Sequence, residues 1–159
     1  KDNYILNNKE FKNIKKFLNK QCKNYLDTVI CSKNNLELYI TQSWLNYTES
    51  DQYHHKHEHP NSVVSGVLYF NSDIKNDKIL FSKNGYQQIS AEIDKEKFNV
   101  WNSKSWFFPV ETGNLFMFPS STTHQVETKK GNNTRISLAF NTFYKGTVGS
   151  NSDLTELIL

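Results

Sequence analysis

The spacing of apolar residues divides the chain into a helical start and a strand-rich remainder. Between about residues 10 and 30, apolar side chains recur at steps of three and four, which is the period of an amphipathic helix: Phe11, Ile14, Phe17, Leu18, Cys22, Tyr25 and Leu26. The lysines between them favour a solvated opposite face. The pattern predicts one N-terminal helix that packs its apolar stripe against a sheet.

After Leu36 the pattern changes to short runs of β-branched and aromatic residues separated by Asn, Gly, Asp and Lys. Such runs are typical of strands joined by turns. We predict strands at about 36–47, 62–70, 79–82, 87–93, 114–118, 124–127 and 134–143. The stretch Lys130-Gly131-Asn132-Asn133 tolerates positive φ angles, so it is predicted to close an antiparallel hairpin between the last two strands.

One helix followed by many short strands indicates a mainly β protein, with a jelly roll as the leading architecture. No repeat, low-complexity tract or long linker divides the chain. We therefore expect a single domain over residues 1–159, with the β core at about 36–145. With 159 residues and a hydrophobic content of 36%, the chain can bury a substantial core.

Composition and charge argue against several classes of protein. The net charge is only +3 and the lysines are scattered, which gives little support to a nucleic-acid surface. No apolar run approaches the roughly 20 residues of a membrane span, and no signal peptide is visible. Cys22 and Cys31, without a dense spacing pattern, fit reduced thiols. We expect a cytoplasmic protein without nucleic-acid or membrane partners, and leave a homodimer open.

Candidate chemistry concentrates in the histidines. Four of the five lie within residues 53–60, and the fifth is His124. His57 and His59 are two residues apart, so on an extended chain their side chains leave the same face while Glu58 points the other way. Antiparallel closure could bring His124 across to complete three ligands on one side of a metal.

Other interpretations of the histidine cluster stay open from the residues alone. His55 and His57 have the same two-residue spacing as His57 and His59. A solvent-exposed loop that binds metal adventitiously is a further alternative. If the site is real, metal binding needs neutral imidazoles with an ordinary pKa of about 6.5, so occupancy should fall between about pH 7 and about pH 5.

Residues 135–141 alternate strictly between a polar face that begins with Arg135 and Ser137 and an apolar face of Ile136, Leu138 and Phe140. If the apolar face packs on the helix, Arg135 looks into the barrel, where a cation without a partner is costly. A ligand carboxylate would pair with its planar fork. A salt bridge to Asp or Glu is the alternative.

A stretch with four aromatic residues lacks alternation: Trp101, Trp106, Phe107 and Phe108. We interpret it as a loop that covers the barrel mouth and offers an apolar wall to substrate. Core packing is the alternative for at least half of these side chains.

Six motifs follow the helix in order: Ser43-Trp44-Leu45-Asn46, His57-Glu58-His59-Pro60-Asn61-Ser62, Ser65-Gly66-Val67-Leu68-Tyr69, Phe118-Pro119, His124-Gln125-Val126 and Arg135-Ile136-Ser137. Together they resemble the 2-oxoglutarate/Fe(II) oxygenases of the double-stranded β-helix fold, and among them a group with an H-x-H-P signature. The resemblance spans nearly everything after the helix. It implies a jelly-roll hydroxylase that uses Fe(II), 2-oxoglutarate and dioxygen on an unidentified small-molecule or protein substrate.

The resemblance also assigns the metal ligands. It implies that His57 and His124 bind iron together with His59, which lies where most of the superfamily has Asp or Glu and would make an unusual three-histidine site. That departure keeps open two other functions: a cupin-type dioxygenase that holds iron with three histidines and needs no 2-oxoglutarate, and a non-enzymatic jelly roll that binds a metal or ligand.

Cosubstrate binding is assigned by the same resemblance. Arg135 and Ser137 match the Arg-x-Ser that holds the far carboxylate of 2-oxoglutarate. Asn46 falls where related enzymes place the Asn of an Asn-x-Tyr pair that also contacts the cosubstrate. Here Thr48 replaces the tyrosine, which puts that second contact in question.

Overall fold

The computed structural model describes residues 2–83, 85 and 91–159. Its N-terminal part is helical, as predicted. Two short 3₁₀ turns, at Ile5–Asn7 and Lys9–Phe11, lead into helix α1 at Lys12–Tyr25. A π-helical turn at Leu26–Ile30 prolongs α1, and Cys31 ends it with a left-handed φ of 53°.

Nine antiparallel strands follow among the described residues. They are β1 (Leu36–Thr48), β2 (His54–His57), β3 (Val64–Asn71), β4 (Lys78–Ser82), β5 (Ser105–Pro109), β6 (Leu115–Pro119), β7 (Thr123–Val126), β8 (Arg135–Val148) and β9 (Leu157–Ile158). One sheet has the order β1-β8-β3-β6 with β9 beside β8, and the other has the order β2-β7-β4-β5. The predicted mainly β jelly roll is confirmed.

The alternation of β8 divides the interior into an apolar side and a polar side. Leu138 and Phe140 are fully buried on the side of α1, in one cluster with Leu18 and Cys22. On the opposite face, Arg135 lines an internal cavity. The predicted packing of the helix on the sheet and the inward polar face of this strand are both confirmed.

Gly66 lets two central strands pack closely. It lies opposite Phe140 in the pairing of β3 with β8. A Cβ atom on Gly66 would lie 2.2 Å from Cζ of Phe140, closer than two carbons can approach. Glycine at this position therefore makes room for the aromatic ring.

The predicted hairpin around residues 130–133 is wrong. β7 pairs with β2 and β4, whereas β8 pairs with β1 and β3. Gly131 does take a positive φ of 80°, so the turn chemistry is as expected. The turn nevertheless carries the chain from one sheet to the other, because sheet partners are chosen by packing across the whole fold.

Some strands differ from the predicted set. Residues 105–109 form β5, paired with β4, where a loop is predicted, because consecutive aromatic residues hide the period of two. The short β2 and β9 are also missed. The predicted strand at 87–93 lies mostly outside the described residues, and residues 91–93 are in no strand.

Cys22 and Cys31 are both free thiols. Burial raises the pKa of the Cys22 thiol to about 11, so it stays protonated in the core. In the part of the chain that the structure describes, no helix combines the length and apolarity needed to cross a membrane.

Candidate metal centre

Three histidines converge where β2 and β7 meet. His57, at the end of β2, lies opposite His124 on β7, and His59 follows two residues after His57. One ring nitrogen from each lies within 4.8 Å of the other two. Nε2 of His59 is 3.2 Å from Nε2 of His124. The structure thus brings together the three residues that the sequence singles out as ligands.

Backbone carbonyls fix the tautomers of two of these rings. Nδ1 of His57 donates to the carbonyl oxygen of His55 at 2.7 Å, and Nδ1 of His124 donates to that of Thr122 at 3.0 Å. A carbonyl oxygen can only accept, so in the neutral form of each ring Nε2 carries the lone pair, the state in which imidazole binds a metal. His55 contributes its backbone and is not one of the three clustered rings, which favours the pair His57 and His59.

Burial and neighbouring imidazoles favour the neutral forms of two rings. Desolvation, reinforced by His124 and His57, lowers the pKa of His59 to about 4. Desolvation also lowers the pKa of His124, against the opposing effect of its hydrogen bond to Thr122. Neutral nitrogen donors this close together fit a transition-metal ion, which accepts their lone pairs.

Among the described residues, this histidine cluster contains no carboxylate. Glu58 lies between two of its members in sequence, but its carboxylate accepts a hydrogen bond from Oγ1 of Thr123. That contact agrees with its predicted position on the opposite face of an extended chain. A metal held here would be one negative charge short of a site with two histidines and one carboxylate.

A chain of hydroxyl groups ties the loop that carries His59 to the sheet. The His59 N–H donates to the carbonyl oxygen of Ser120 at 3.0 Å. The Ser120 hydroxyl lies 2.7 Å from that of Ser62 and 2.8 Å from that of Ser65, which donates to Oδ1 of Asn141 at 2.9 Å. Because Ser65, Ser120 and Asn141 are buried, each needs its partners. The hydroxyl chain therefore holds Ser120, whose carbonyl oxygen in turn holds the backbone of His59.

A cavity of about 620 Å³ is lined by the histidines and by the polar face of β8. The three residues predicted to hold the cosubstrate, Asn46, Arg135 and Ser137, all line it. Asn46 lies opposite Ser137 and Thr48 lies opposite Arg135 in the pairing of β1 with β8. Residues distant in sequence thus form one continuous polar wall.

Arg135 is only 4% exposed. Its Nη2 donates to Oγ1 of Thr48 at 3.2 Å, and its Nη1 lies 3.7 Å from Oδ1 of the buried Asp77. Within the described part of the chain, that oxygen accepts no hydrogen bond and the guanidinium makes one. The alternative interpretation, a salt bridge to an acidic residue, is therefore present as a long contact between Arg135 and Asp77 that includes no hydrogen bond. Arg135 keeps N–H donors for a carboxylate in the cavity.

Sequence reasoning misses three residues around the cavity. Tyr69 lies opposite Ser137 and is 2% exposed, and burial raises its pKa to about 12. The alternation of β3 could have identified it. His54 is exposed, its ring centroid lies 4.5 Å from that of His57, and partial desolvation, followed by the charge of His57, lowers its pKa to about 4. No sequence pattern around Asp77 indicates that it lies beside Arg135.

The aromatic residues predicted to cover the barrel do not border this cavity. Trp106 and Phe108 line a separate depression with Phe81. Trp101 is 85% exposed, and none of the four aromatic residues lines the histidine cavity. The predicted lid is therefore wrong for this cavity, because β5 pairs with β4 at the far side of the sheet from β2.

A family model described as "Putative 2OG-Fe(II) oxygenase" matches residues 42–141. The match contains every cavity residue considered above, from Asn46 to Ser137. No match was found among curated proteins.

Solved structures show similar folds. An oxidoreductase of the 2OG-Fe(II) oxygenase family from Burkholderia pseudomallei has a TM-score of 0.55 and 15% identity, over 77% of this chain and 51% of that one. A "Non-heme monooxygenase, ThoJ-Ni complex" has a TM-score of 0.48 and 8% identity, over 67% and 44%. A cupin protein from Desulfovibrio desulfuricans has a TM-score of 0.38 and 10% identity, over 67% and 81%. The chain spans about half the length of the first of these proteins.

Proposed function

The chain belongs to the 2OG-Fe(II) oxygenase family whose model matches residues 42–141, and from that premise we propose an Fe(II)- and 2-oxoglutarate-dependent oxygenase that hydroxylates an unidentified substrate. One observation carries the proposal: a single cavity is lined by three converging imidazoles and by a buried guanidinium. A cation site and an anion site in one cavity suit a cosubstrate that binds metal through its 2-oxoacid and protein through its far carboxylate.

His57, His59 and His124 would hold the iron. Bound Fe(II) supplies the activation of dioxygen that couples decarboxylation of 2-oxoglutarate to oxidation of the substrate. The protein contributes donors that are already oriented, since the carbonyl oxygens of His55 and Thr122 hold two of the rings by their other nitrogens.

Arg135 would pair with the far carboxylate of 2-oxoglutarate, and Ser137 and Asn46 would add a hydroxyl and an amide donor. Thr48 orients the guanidinium from one side. Asp77 lies near its other terminal nitrogen but does not line the cavity, so it steadies the guanidinium without occupying the place of the ligand. Arginine suits this role because its planar donors match a carboxylate in pairs.

The substrate would enter on the aromatic side of the cavity. Trp44, Tyr47 and Tyr53 all line it, and the two tyrosines are 62% and 68% exposed, so they mark an opening to solvent. Aromatic faces at a mouth offer apolar contact to a small molecule or to a side chain of a protein substrate.

Anaerobic titration with 2-oxoglutarate tests the proposal. Addition to the Fe(II)-loaded protein should produce the weak visible charge-transfer band of a chelated 2-oxoacid and a matching heat of binding. The variant Arg135→Lys keeps the charge but loses the planar fork, so it should weaken binding by at least about tenfold, or about 1.4 kcal/mol. A parent protein that gives neither band nor heat would rule out the assignment.

The absence of a carboxylate from the described cluster favours a second candidate, a cupin-type dioxygenase in which three histidines hold iron and the organic substrate binds it directly. Arg135 would then hold a carboxylate of the substrate. Dioxygen consumption with a thiol or a catechol, without succinate formation, would select this candidate over the first.

A further inference from the structure

A basic groove adjoins the cavity. Its volume of about 810 Å³ lies within the usual range of small-molecule sites, roughly 300–1,000 Å³. Its lining contains five cationic residues: Lys56, Lys78, Lys129, Lys130 and Arg135. Among the described residues that line it, Glu127 is the one carboxylate. Lysines that are scattered in sequence are thus collected by the fold around one concave surface.

The groove and the cavity are continuous at Arg135. They share four lining residues, which are Tyr53, His54, Val126 and Arg135. Arg135 is almost completely buried, so a ligand reaches its guanidinium either through the cavity mouth or along the groove. The groove therefore provides a second approach to the same cation.

Two of the groove lysines are already engaged. Nζ of the buried Lys129 donates to three oxygens of its own loop, two at 2.9 Å and one at 3.5 Å, and so shapes the wall of the groove. Nζ of Lys78 lies 3.5 Å from Oε2 of Glu127. Lys56 and Lys130 are exposed and form no ion pair within the described part of the chain. Their charges face an incoming ligand.

We propose that this groove recruits anionic ligands to Arg135, and 2-oxoglutarate first among them. The inference rests on the proposed function. Clefts lined by one sign of charge raise association rates by roughly 10- to 1,000-fold, and a dianion responds more strongly than a monoanion. Exposed lysines along a route need not touch the bound ligand, so they change association more than dissociation. The mouth beside Tyr47 is then left for the substrate.

Stopped-flow mixing of 2-oxoglutarate with the anaerobic Fe(II)-loaded protein tests the inference. Trp44 lines the cavity and provides a fluorescence signal. The rates are measured from about 0.01 to about 1 M salt, over which the Debye length falls from about 30 to about 3 Å. The double variant Lys56→Glu/Lys130→Glu should associate about tenfold more slowly at low salt, with a weaker salt dependence and an unchanged dissociation rate.

Lys16→Glu/Lys20→Glu is the matched control. It alters two exposed lysines of α1 and changes the net charge by the same amount, so it should keep the rates of the parent protein. If circular dichroism shows that Lys56→Glu/Lys130→Glu does not fold, Lys56→Gln/Lys130→Gln replaces it. The glutamine variant should also slow the association of 2-oxoglutarate at low salt, by a smaller factor.

Two outcomes are separable. If 2-oxoglutarate binds and the groove variants keep the association rate and salt dependence of the parent, the inference is overturned and the proposed function stands. If 2-oxoglutarate does not bind the parent protein at all, the proposed function is overturned and the inference falls with it.

Discussion

His59 is the residue that departs most from the pattern the family resemblance implies. The resemblance implies that it lies where most of the superfamily has a carboxylate, and its Nε2 lies 3.2 Å from that of His124. Three donors are retained, but one negative charge is lost. Thr48, where the resemblance implies a tyrosine, is the second departure, and its hydroxyl accepts a hydrogen bond from the guanidinium of Arg135.

Substitution of His59 tests whether the third imidazole binds metal. Loss of a residue that only hydrogen-bonds to a metal ligand typically costs roughly 10- to 100-fold in metal affinity. His59→Ala removes a ligand itself, so it should lower Fe(II) affinity by at least that much. His59→Asp should recover part of that loss. Its oxygen is anionic, but the shorter side chain must move to reach a bond length of about 2.0–2.2 Å. Anaerobic metal titration measures both affinities.

His55→Ala is the control for this prediction. His55 contributes its backbone carbonyl to His57, and alanine keeps that carbonyl, so Fe(II) affinity should stay close to that of the parent. Parent-like affinity in His59→Ala together with weak binding in His55→Ala would show instead that His55 and His57 are the ligand pair.

At the scale of elements, β3 connects the metal centre to the helical side of the fold. Ser65 joins the hydroxyl chain that holds the loop of His59, whereas the next residue, Gly66, packs against Phe140. Adjacent residues of one strand thus serve opposite faces, which is the ordinary consequence of a side-chain period of two.

Ser65→Ala should therefore weaken metal binding indirectly, by removing hydrogen bonds behind the loop that carries His59. It removes the hydrogen bonds to Ser120 and Asn141 and leaves a buried amide oxygen without its donor, at a cost of about 1–3 kcal/mol. Because His59 is tied to Ser120, Fe(II) affinity should also fall, by less than the roughly 10- to 100-fold that loss of a direct hydrogen-bond partner of a ligand costs. Urea unfolding and metal titration measure the two effects separately.

Gly66→Ala is the matched control on the same strand. Its new methyl group would overlap the ring of Phe140, with a destabilisation of about 1–3 kcal/mol. The folded protein should keep its Fe(II) affinity, since Phe140 lies in the core cluster with α1. A Ser65→Ala protein that loses stability but keeps full metal affinity would contradict the supporting role of the hydroxyl chain.

At the scale of the whole molecule, the histidines link folding to pH. The pKa values of His54 and His59 are lowered to about 4 in the folded chain, against about 6.5 in an unfolded one. Below about pH 6.5 the unfolded chain therefore binds more protons. Stability present above that pH is lost progressively as the pH falls to about 4.

The thermal unfolding midpoint of metal-free protein should accordingly decrease between about pH 6.5 and about pH 4. The double variant His54→Gln/His59→Gln removes both titrating groups and should show a shallower decrease. Equal slopes in the two proteins would contradict the assigned pKa shifts. The loss of metal between about pH 7 and about pH 5 stays a prediction.

Three statements about the whole molecule stay predictions: one domain over residues 1–159, a cytoplasmic location and the lack of a nucleic-acid partner. The basic groove has the volume of a small-molecule site.

The sequence by itself determined the features that depend on local periodicity. Apolar steps of three and four predicted α1, and the alternation of residues 135–141 predicted which face of β8 looks inward. The two-residue spacing of His57 and His59 predicted that their side chains leave the same face of an extended chain, as candidate metal ligands. These inferences succeed because burial imposes the period of each element on the residues within it.

Tertiary structure alone decided which elements meet. It placed β7 and β8 in different sheets, brought Asp77 beside Arg135, and collected Lys56 and Lys130 along one groove. No local pattern encodes these contacts, since strand partners and through-space neighbours follow from packing the whole chain at once. The spacing of the histidines thus leaves two candidate ligand pairs, and the fold brings His57 and His59 together with His124, whereas the electrostatic surroundings of the cavity are a product of the fold.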